Sequence, residues 1–340
     1  MSGIAMTGDG TVLLGDHVSC DGFQWSHAVR VQTHIHDDHM RGFRRSKGKQ
    51  DILMSKATRE LLVALMDFDI PYRSNLIVLD DLGRVEVGGD TVEVADSGHM
   101  LGSIQVRVTS SFGFRMGYSS DFFWPLRRVL EADELVLNSP YGSPEYAREY
   151  GQREVEERFV ELVRIQLRKG PVVVLGYRGR LQHAMSLLVE QVRQPVLASR
   201  NVAVLSGVYD RHGVHLLGSI EADAEEGRRL VAEGDRYLAF MELTEQRQYP
   251  WVKDVSKILL SVYAVPREAP VLDYGNGDFR VALTDHADFA GTLEYVRASG
   301  AARVLVHPFS GTPDVLADEI RRRLSCQAVV AEPAEISEWA

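Results

Sequence analysis

The chain has 340 residues, enough for two modest domains or for one large domain carrying an insertion. Apolar residues make up 45% and charged residues 25%, an ordinary globular composition with no apolar run near the roughly 20 residues of a membrane helix. The net charge of −10 argues against a general nucleic-acid coat protein, and the two well-separated cysteines, Cys20 and Cys326, argue against a disulfide framework. Together with an N-terminus that has neither a basic start nor an apolar core, this predicts a cytoplasmic setting.

In chain order, residues 11–14 and 17–20 read as short strands about a Gly15-Asp16 turn. Residues 29–33 read as a strand that runs into His34-Ile35-His36-Asp37-Asp38-His39. On a strand, residues i and i+2 share a face, so His34 and His36 project together onto one ion. A turn just after it brings Asp38 and His39 to a second. Imidazole and carboxylate are ligands for zinc, and they also suit manganese or iron. Arg41, Arg44, Arg45, Lys47 and Lys49 follow at once. Such a run is either a solvated loop or, beside an active site, a phosphate-binding element.

A helix is expected over residues 55–68, capped by Ser55, with Leu61, Leu62, Leu65 and Met66 on its apolar face. Strands are expected within 75–94, at 103–108 after the run Gly98-His99-Met100-Leu101-Gly102-Ser103, at 112–118 ending in Ser119-Ser120-Asp121, and at 134–137 before Asn138-Ser139-Pro140-Tyr141-Gly142. From about Pro144 the composition changes. A helix over 153–168 precedes an all-apolar strand at 172–175, and Gly179-Arg180-Leu181-Gln182-His183 leads into a further helix. Residues 221–233 read as an acidic, solvated helix and 258–262 as a strand. The run Thr284-Asp285-His286-Ala287-Asp288 opens a helix over 289–298 that Asp288 is placed to cap. A strand at 304–308 contains His307, Pro313 starts a helix over 314–324, and 329–332 reads as an edge strand.

The H-x-H-x-D-H motif, the Gly-His run at His99 and Asp121 resemble the metallo-β-lactamase superfamily. The elements at Asn138, Gly179–Gln182 and His286 resemble its β-CASP nucleases. The resemblance implies an α/β protein: an αβ/βα sandwich core over 1–143 and 272–340, with an α/β β-CASP cap inserted over 144–271. It implies two divalent ions, zinc or alternatively manganese. His34, His36 and His99 would hold one ion and Asp38, His39 and His307 the other, with Asp121 bridging through its two oxygens. Asp21 would support the metal loop. Asn138 stands where the group has an acid that contacts the catalytic His286, and its amide oxygen would accept a hydrogen bond in the acid's place. His286 would protonate the leaving oxygen, with Asp38 sharing the proton burden. Arg41, Arg44, Arg45, Arg178 and Arg180 would contact phosphate. The implied activity is hydrolysis of RNA phosphodiester bonds by a metal-activated water, RNA being favoured over DNA because RNA-directed members carry a histidine at the position of His307. The alternatives are a DNA exonuclease of the same group, a thioesterase- or lactonase-like hydrolase of small molecules, and a catalytically weak scaffold subunit. Protein partners for targeting are expected, since no appended nucleic-acid-binding domain is evident, and the oligomeric state is open.

Overall fold

The computed structural model describes residues 3–66, 70–79, 83–234 and 236–333. The chain divides into two compact units, Met1–Ala147 with Asp285–Ala340, and Arg148–Thr284. It is a mixed α/β protein, built among the described residues from three sheets and seven α-helices.

The first unit opens with a six-stranded sheet, β1 (Ile4–Met6), β2 (Val12–Leu14), β3 (Val18–Cys20), β4 (Val29–Val31), β5 (Asp51–Ser55) and β6 (Leu76–Leu79), in that spatial order. The first three strands are antiparallel and the rest parallel. The β5–β6 crossover carries α1 (Lys56–Met66), which lies against both strands. Ser55 caps it, its Oγ accepting the Thr58 N–H at 3.0 Å. The expected helix end at Phe68 lies outside the described residues. A second sheet begins with β7 (Arg84–Val87), β8 (Asp90–Asp96), β9 (Ile104–Thr109) and β10 (Arg115–Tyr118), and is joined by β11 (Glu134–Leu137).

The second unit starts at α2 (Gln152–Lys169). It alternates β12 (Val172–Gly176), α3 (Arg180–Leu187), β13 (Val196–Ala198), α4 (Arg200–Arg211), β14 (Ile220–Glu221), α5 (Glu225–Glu233), β15 (Leu238–Glu242) and β16 (Ser256–Leu260). The hairpin β17 (Val271–Gly275) and β18 (Asp278–Val281) closes it. The strand order is β14-β13-β15-β12-β16-β18-β17, and β17 is antiparallel to its neighbour. Every residue of β12 is buried, as a central parallel strand covered on both faces requires.

The chain then returns to the first unit with α6 (Phe289–Ser299), β19 (Arg303–Val306), α7 (Pro313–Leu324) and β20 (Gln327–Val330). β19 pairs parallel with β11, and β20 forms the edge of the second sheet. Val12, Leu14, Val31 and Leu53 of the first sheet share one apolar core with Val92, Val106, Met116 and Val136 of the second. The other face of the second sheet buries Leu135, Leu137 and Val304 against Phe289, Leu293, Leu316 and Ile320 of α6 and α7. This unit is therefore layered helix, sheet, sheet, helix, each layer covering one apolar face of the next.

Two boundaries differ from the sequence expectation. The second unit extends past 271 to Thr284, because β18 pairs parallel with β16 and β17 pairs with β18, so the hairpin belongs to that sheet. The expected strand over 29–33 stops at Val31, where the main chain leaves the sheet: the Thr33 N–H bonds the Asp21 carboxylate instead of a neighbouring strand. His34 and His36 therefore sit on an irregular segment. The elements between Val196 and Arg211 and strand β15 have no counterpart in the sequence reading. Among the described residues no helix is long and apolar enough to cross a membrane.

The Asp288 carboxylate caps α6, accepting the Gly291 N–H at 2.8 Å. Replacing Asp288 by Ala is expected to cost about 1 kcal/mol of stability, read as a lowered denaturant midpoint with unchanged slope.

Candidate metal centre

The centre is organised from behind. Asp21, directly after β3, has a positive φ of 56°, a conformation Asp tolerates better than most residues. Its Oδ1 accepts the Thr33 N–H at 2.8 Å. Its Oδ2 accepts the Thr33 hydroxyl at 2.6 Å and pairs with His39 Nδ1 at 2.7 Å. One carboxylate thus fixes both ends of the segment 33–39. Arg30 and Gln32 fix its carbonyls from below. The fully buried Arg30 donates to the carbonyls of Arg41 at 2.7 Å and His39 at 3.0 Å and to Gln32 Oε1, and Gln32 Nε2 donates to the carbonyls of His34 and His39. Burial lowers the Arg30 pKa to about 10, so it stays charged at neutral pH.

These bonds also choose histidine tautomers. The Thr33 hydroxyl gives its one proton to Asp21, so at 3.0 Å it accepts from His34 Nδ1. His39 Nδ1 faces the Asp21 carboxylate and His99 Nδ1 faces the Asp285 carbonyl at 3.0 Å; neither partner has a proton to give. All three rings therefore carry a proton on Nδ1, which leaves Nε2 as the atom each can offer to an ion. The three Nε2 atoms converge on a single oxygen, Asp121 Oδ2, at 3.6 Å for His34, 3.6 Å for His39 and 3.5 Å for His99. His36 Nδ1 is 3.1 Å from His99 Nε2. Lone pairs gathered round an anion repel unless a cation stands among them. Donor atoms about 2.1 Å from a tetrahedral ion are about 3.4 Å from each other, which is the spacing found. The buried His34 Nε2 has no hydrogen-bond partner, as expected of a ligand atom. His34, His36, His99 and Asp121 have ligand atoms that all lie within 4.8 Å of one another. The donor set fits one divalent cation.

The electrostatics agree. Burial pushes the His34 imidazole down to about 3, and burial with the neighbouring His34 and His99 rings holds His36 well below its ordinary value, so both are neutral and ready to bind. His39 goes the other way. Burial alone would lower it, but the Asp121 and Asp21 carboxylates hold it well above its usual range. In the metal-free protein a proton on His39 supplies the positive charge the cluster needs.

The expected second set is assembled only in part. Asp38 Oδ2 lies 3.6 Å from His39 Nε2 on a side chain that is 65% exposed. His307 stands beside the cluster, but its Nε2 bonds the Gly10 carbonyl at 3.1 Å and its Nδ1 accepts the Phe309 N–H at 3.3 Å. Both ring nitrogens are thus taken by the main chain, and burial lowers its pKa. Asp121 departs from expectation as well. Oδ2 alone faces the histidines, while Oδ1 accepts the Asn138 amide at 2.7 Å. Sharing between two ions would run through one oxygen. Asn138 therefore contacts Asp121 and not His286; its own Oδ1 accepts from Ser310 Oγ at 3.3 Å. The ring of His286 is 4.4 Å from that of His99 and 5.8 Å from that of Tyr141, and its Nε2 is 3.6 Å from Asp285 Oδ1.

The arginines differ among themselves. Arg44 and Arg45 are exposed, and Arg41 bonds the Asp9 carbonyl and stacks on Phe309 at 4.9 Å. In the other unit Arg178 pairs with the buried Glu242 at 2.9 Å, and Arg180 donates to the Leu260 carbonyl at 3.1 Å. These bonds give both a structural role in their own sheet. Sequence reasoning missed Arg30, Gln32, Thr33, Ser120 and Asp285. One signal was present: polar Arg30 and Gln32 alternate with Val29 and Val31 on a strand that is otherwise apolar.

Zinc titrated into chelator-treated protein at pH 7 is expected to release about one proton, because His39 holds one there and His34 and His36 hold none. Calorimetry in buffers of differing ionisation enthalpy measures this; release should fade as pH rises past the elevated His39 pKa. Asn138→Asp should weaken zinc binding, since it sets a second carboxylate against Asp121 Oδ1 where an amide donor now stands. A zinc affinity equal to that of the parent chain would refute the clamp.

No protein-family profile matches the chain. An uncharacterized protein in the lig 3′ region of Acidianus ambivalens is 29% identical over 134 residues, covering 38% of this chain and 95% of that protein. Among solved structures, a protein of unknown function from Enterococcus faecalis V583 is similar with a TM-score of 0.59 at 15% identity, over 90% of this chain and 80% of that one. That likeness concerns the fold alone.

Proposed function

We propose that this chain is a metal-dependent phosphodiesterase of the metallo-β-lactamase superfamily, in its β-CASP group, acting on nucleic acid in the cytoplasm with two divalent ions, zinc or manganese. The observation that carries the reading is the convergence of three imidazole Nε2 atoms on Asp121 Oδ2. The helix–sheet–sheet–helix layering of the first unit and the insertion of a second α/β unit between Ala147 and Asp285 support the superfamily and its capped branch.

His34, His36, His99 and Asp121 would hold the first ion; His39, Asp38 and Asp121 offer donors to a second. When bound, such ions supply a strong nucleophile from water near neutral pH and offset the charge of the phosphodiester. The chain's own part is positioning and proton transfer. Asp21 and the Asp285 carbonyl fix a proton on Nδ1 of His39 and His99, so that Nε2 is the atom each ring offers to an ion. His286, packed on the His99 ring with its Nε2 3.6 Å from Asp285 Oδ1, would give a proton to the departing oxygen. The exposed Asp38 shares that task. The cations after His39 would meet the phosphates on either side of the scissile bond.

The preference for RNA rests on the histidine at position 307, where RNA-directed members carry one; its nitrogens bond the Gly10 carbonyl and the Phe309 N–H here, and the assay decides the polymer. End-labelled single-stranded RNA and DNA of matched sequence are incubated with metal-loaded protein. His34→Ala is expected to lose bound metal and all turnover. His286→Ala is expected to keep the metal and lose 10²–10⁴-fold in rate, the usual range for a general acid. Cleavage that survives His34→Ala would sink the reading, and loss of metal in His286→Ala would make His286 a ligand.

A further inference from the structure

The segment after the metal cluster carries Arg41, Arg44, Arg45, Lys47 and Lys49, five cations and no acid in nine residues of a chain whose net charge is −10. These cations do not stand alone. Lys49 Nζ lies 4.0 Å from the centre of the Trp25 ring, Arg45 lies 4.9 Å from that of Phe23, and Phe23 and Trp25 meet edge to face at 4.9 Å. Trp25 is 52% exposed, a large fraction for so big an apolar ring. A second pair repeats the arrangement: Arg41 stacks on Phe309, which is 57% exposed and two residues beyond His307.

The patch is tied to the cluster by covalent distance. The Asp21–His39 contact at 2.7 Å pins the start of the segment 22–25 to the start of the segment 40–49. Four residues of extended chain reach at most about 14 Å, so Trp25 stands within a few nucleotides' length of Asp21. Duplex phosphates need cations alone, because paired bases hide their faces. Exposed rings interleaved with cations fit a strand whose bases are free to stack.

We propose that Trp25 and Phe309, with Arg44, Arg45 and Lys49, form a platform that binds single-stranded nucleic acid, the rings stacking on bases and the cations following the phosphates. This rests on the phosphodiesterase reading and narrows its substrate to an unpaired strand.

The test is binding by the full chain in chelator, where hydrolysis is stopped. Fluorescence anisotropy compares labelled deoxythymidine and uridine strands of about 12 nucleotides with a duplex of equal length. The single strands are expected to bind at least fivefold more tightly than the duplex. Trp25→Ala should weaken single-strand binding about five- to a hundredfold, and Trp25→Phe should restore most of it. Arg44→Ala should lower the slope of log affinity against log salt by about 0.7. Equal affinity of Trp25→Ala and the parent chain, or duplex binding as tight as single-strand binding, overturns the platform. Either result with metal-dependent cleavage intact leaves the phosphodiesterase reading standing. Tight, Trp25-dependent binding without any cleavage keeps the platform and removes that reading.

Discussion

The Asp21 carboxylate is the contact on which the centre depends. It receives a main-chain N–H, a hydroxyl and an imidazole, and each bond has a separate consequence. The first ends β4 and turns the chain out of the sheet. The second uses up the Thr33 proton, so that His34 is left with its lone pair on Nε2. The third holds a proton on His39 Nδ1 and turns its Nε2 toward Asp121. Backbone path, tautomer and ligand direction are thus set by one buried anion; burial would raise its pKa, but the charge and hydrogen bond of His39, with His34 and the Thr33 hydroxyl, together hold it low. The positive φ at Asp21, and that of 52° at Ser120 beside Asp121, mark the two places where the main chain bends to bring these groups together.

Much of the first unit was legible in the sequence. Short alternating strands, a Ser-capped helix and Asp288 ahead of α6 follow from local chemistry, and the structure places them within a few residues of expectation. The gathering of His34, His36, His99 and Asp121 follows groups the sequence already singled out, His34 and His36 by their spacing. What could not be read was direction. Whether Asn138 turns its amide toward Asp121 or toward His286 depends on strands that meet only in the folded chain. The same holds for His307, whose neighbours Gly10 and Phe309 satisfy both its nitrogens. Arg178 and Arg180 looked available because their partners, Glu242 and the Leu260 carbonyl, lie 64 and 80 residues away. In the second unit β13, α4 and β15 were passed over because short apolar runs give little periodicity to count.

Charge is distributed against the composition. An acidic chain keeps a local cationic segment next to its buried histidines, and pairs several of its arginines elsewhere within their own helices, as in Arg322 and Arg323 with Glu319. Exposed pairs of that kind contribute little to stability. The segment after His39 instead gathers five cations within nine residues without an acid among them, so a polyanion would be drawn there even though the protein as a whole repels it.

The four bonds from the buried Arg30 guanidinium, to two carbonyls and the Gln32 amide oxygen, have a last consequence. They hold the ligand-bearing segment in shape from the protein side, with no contribution from an ion. The mould is cast before the metal arrives. A cation entering it has no chain to order, so its binding is not taxed by folding as in small zinc modules. Exchange of one bound ion for another would then be a simple ligand replacement, in which the supply of metals, more than the protein, would choose the occupant.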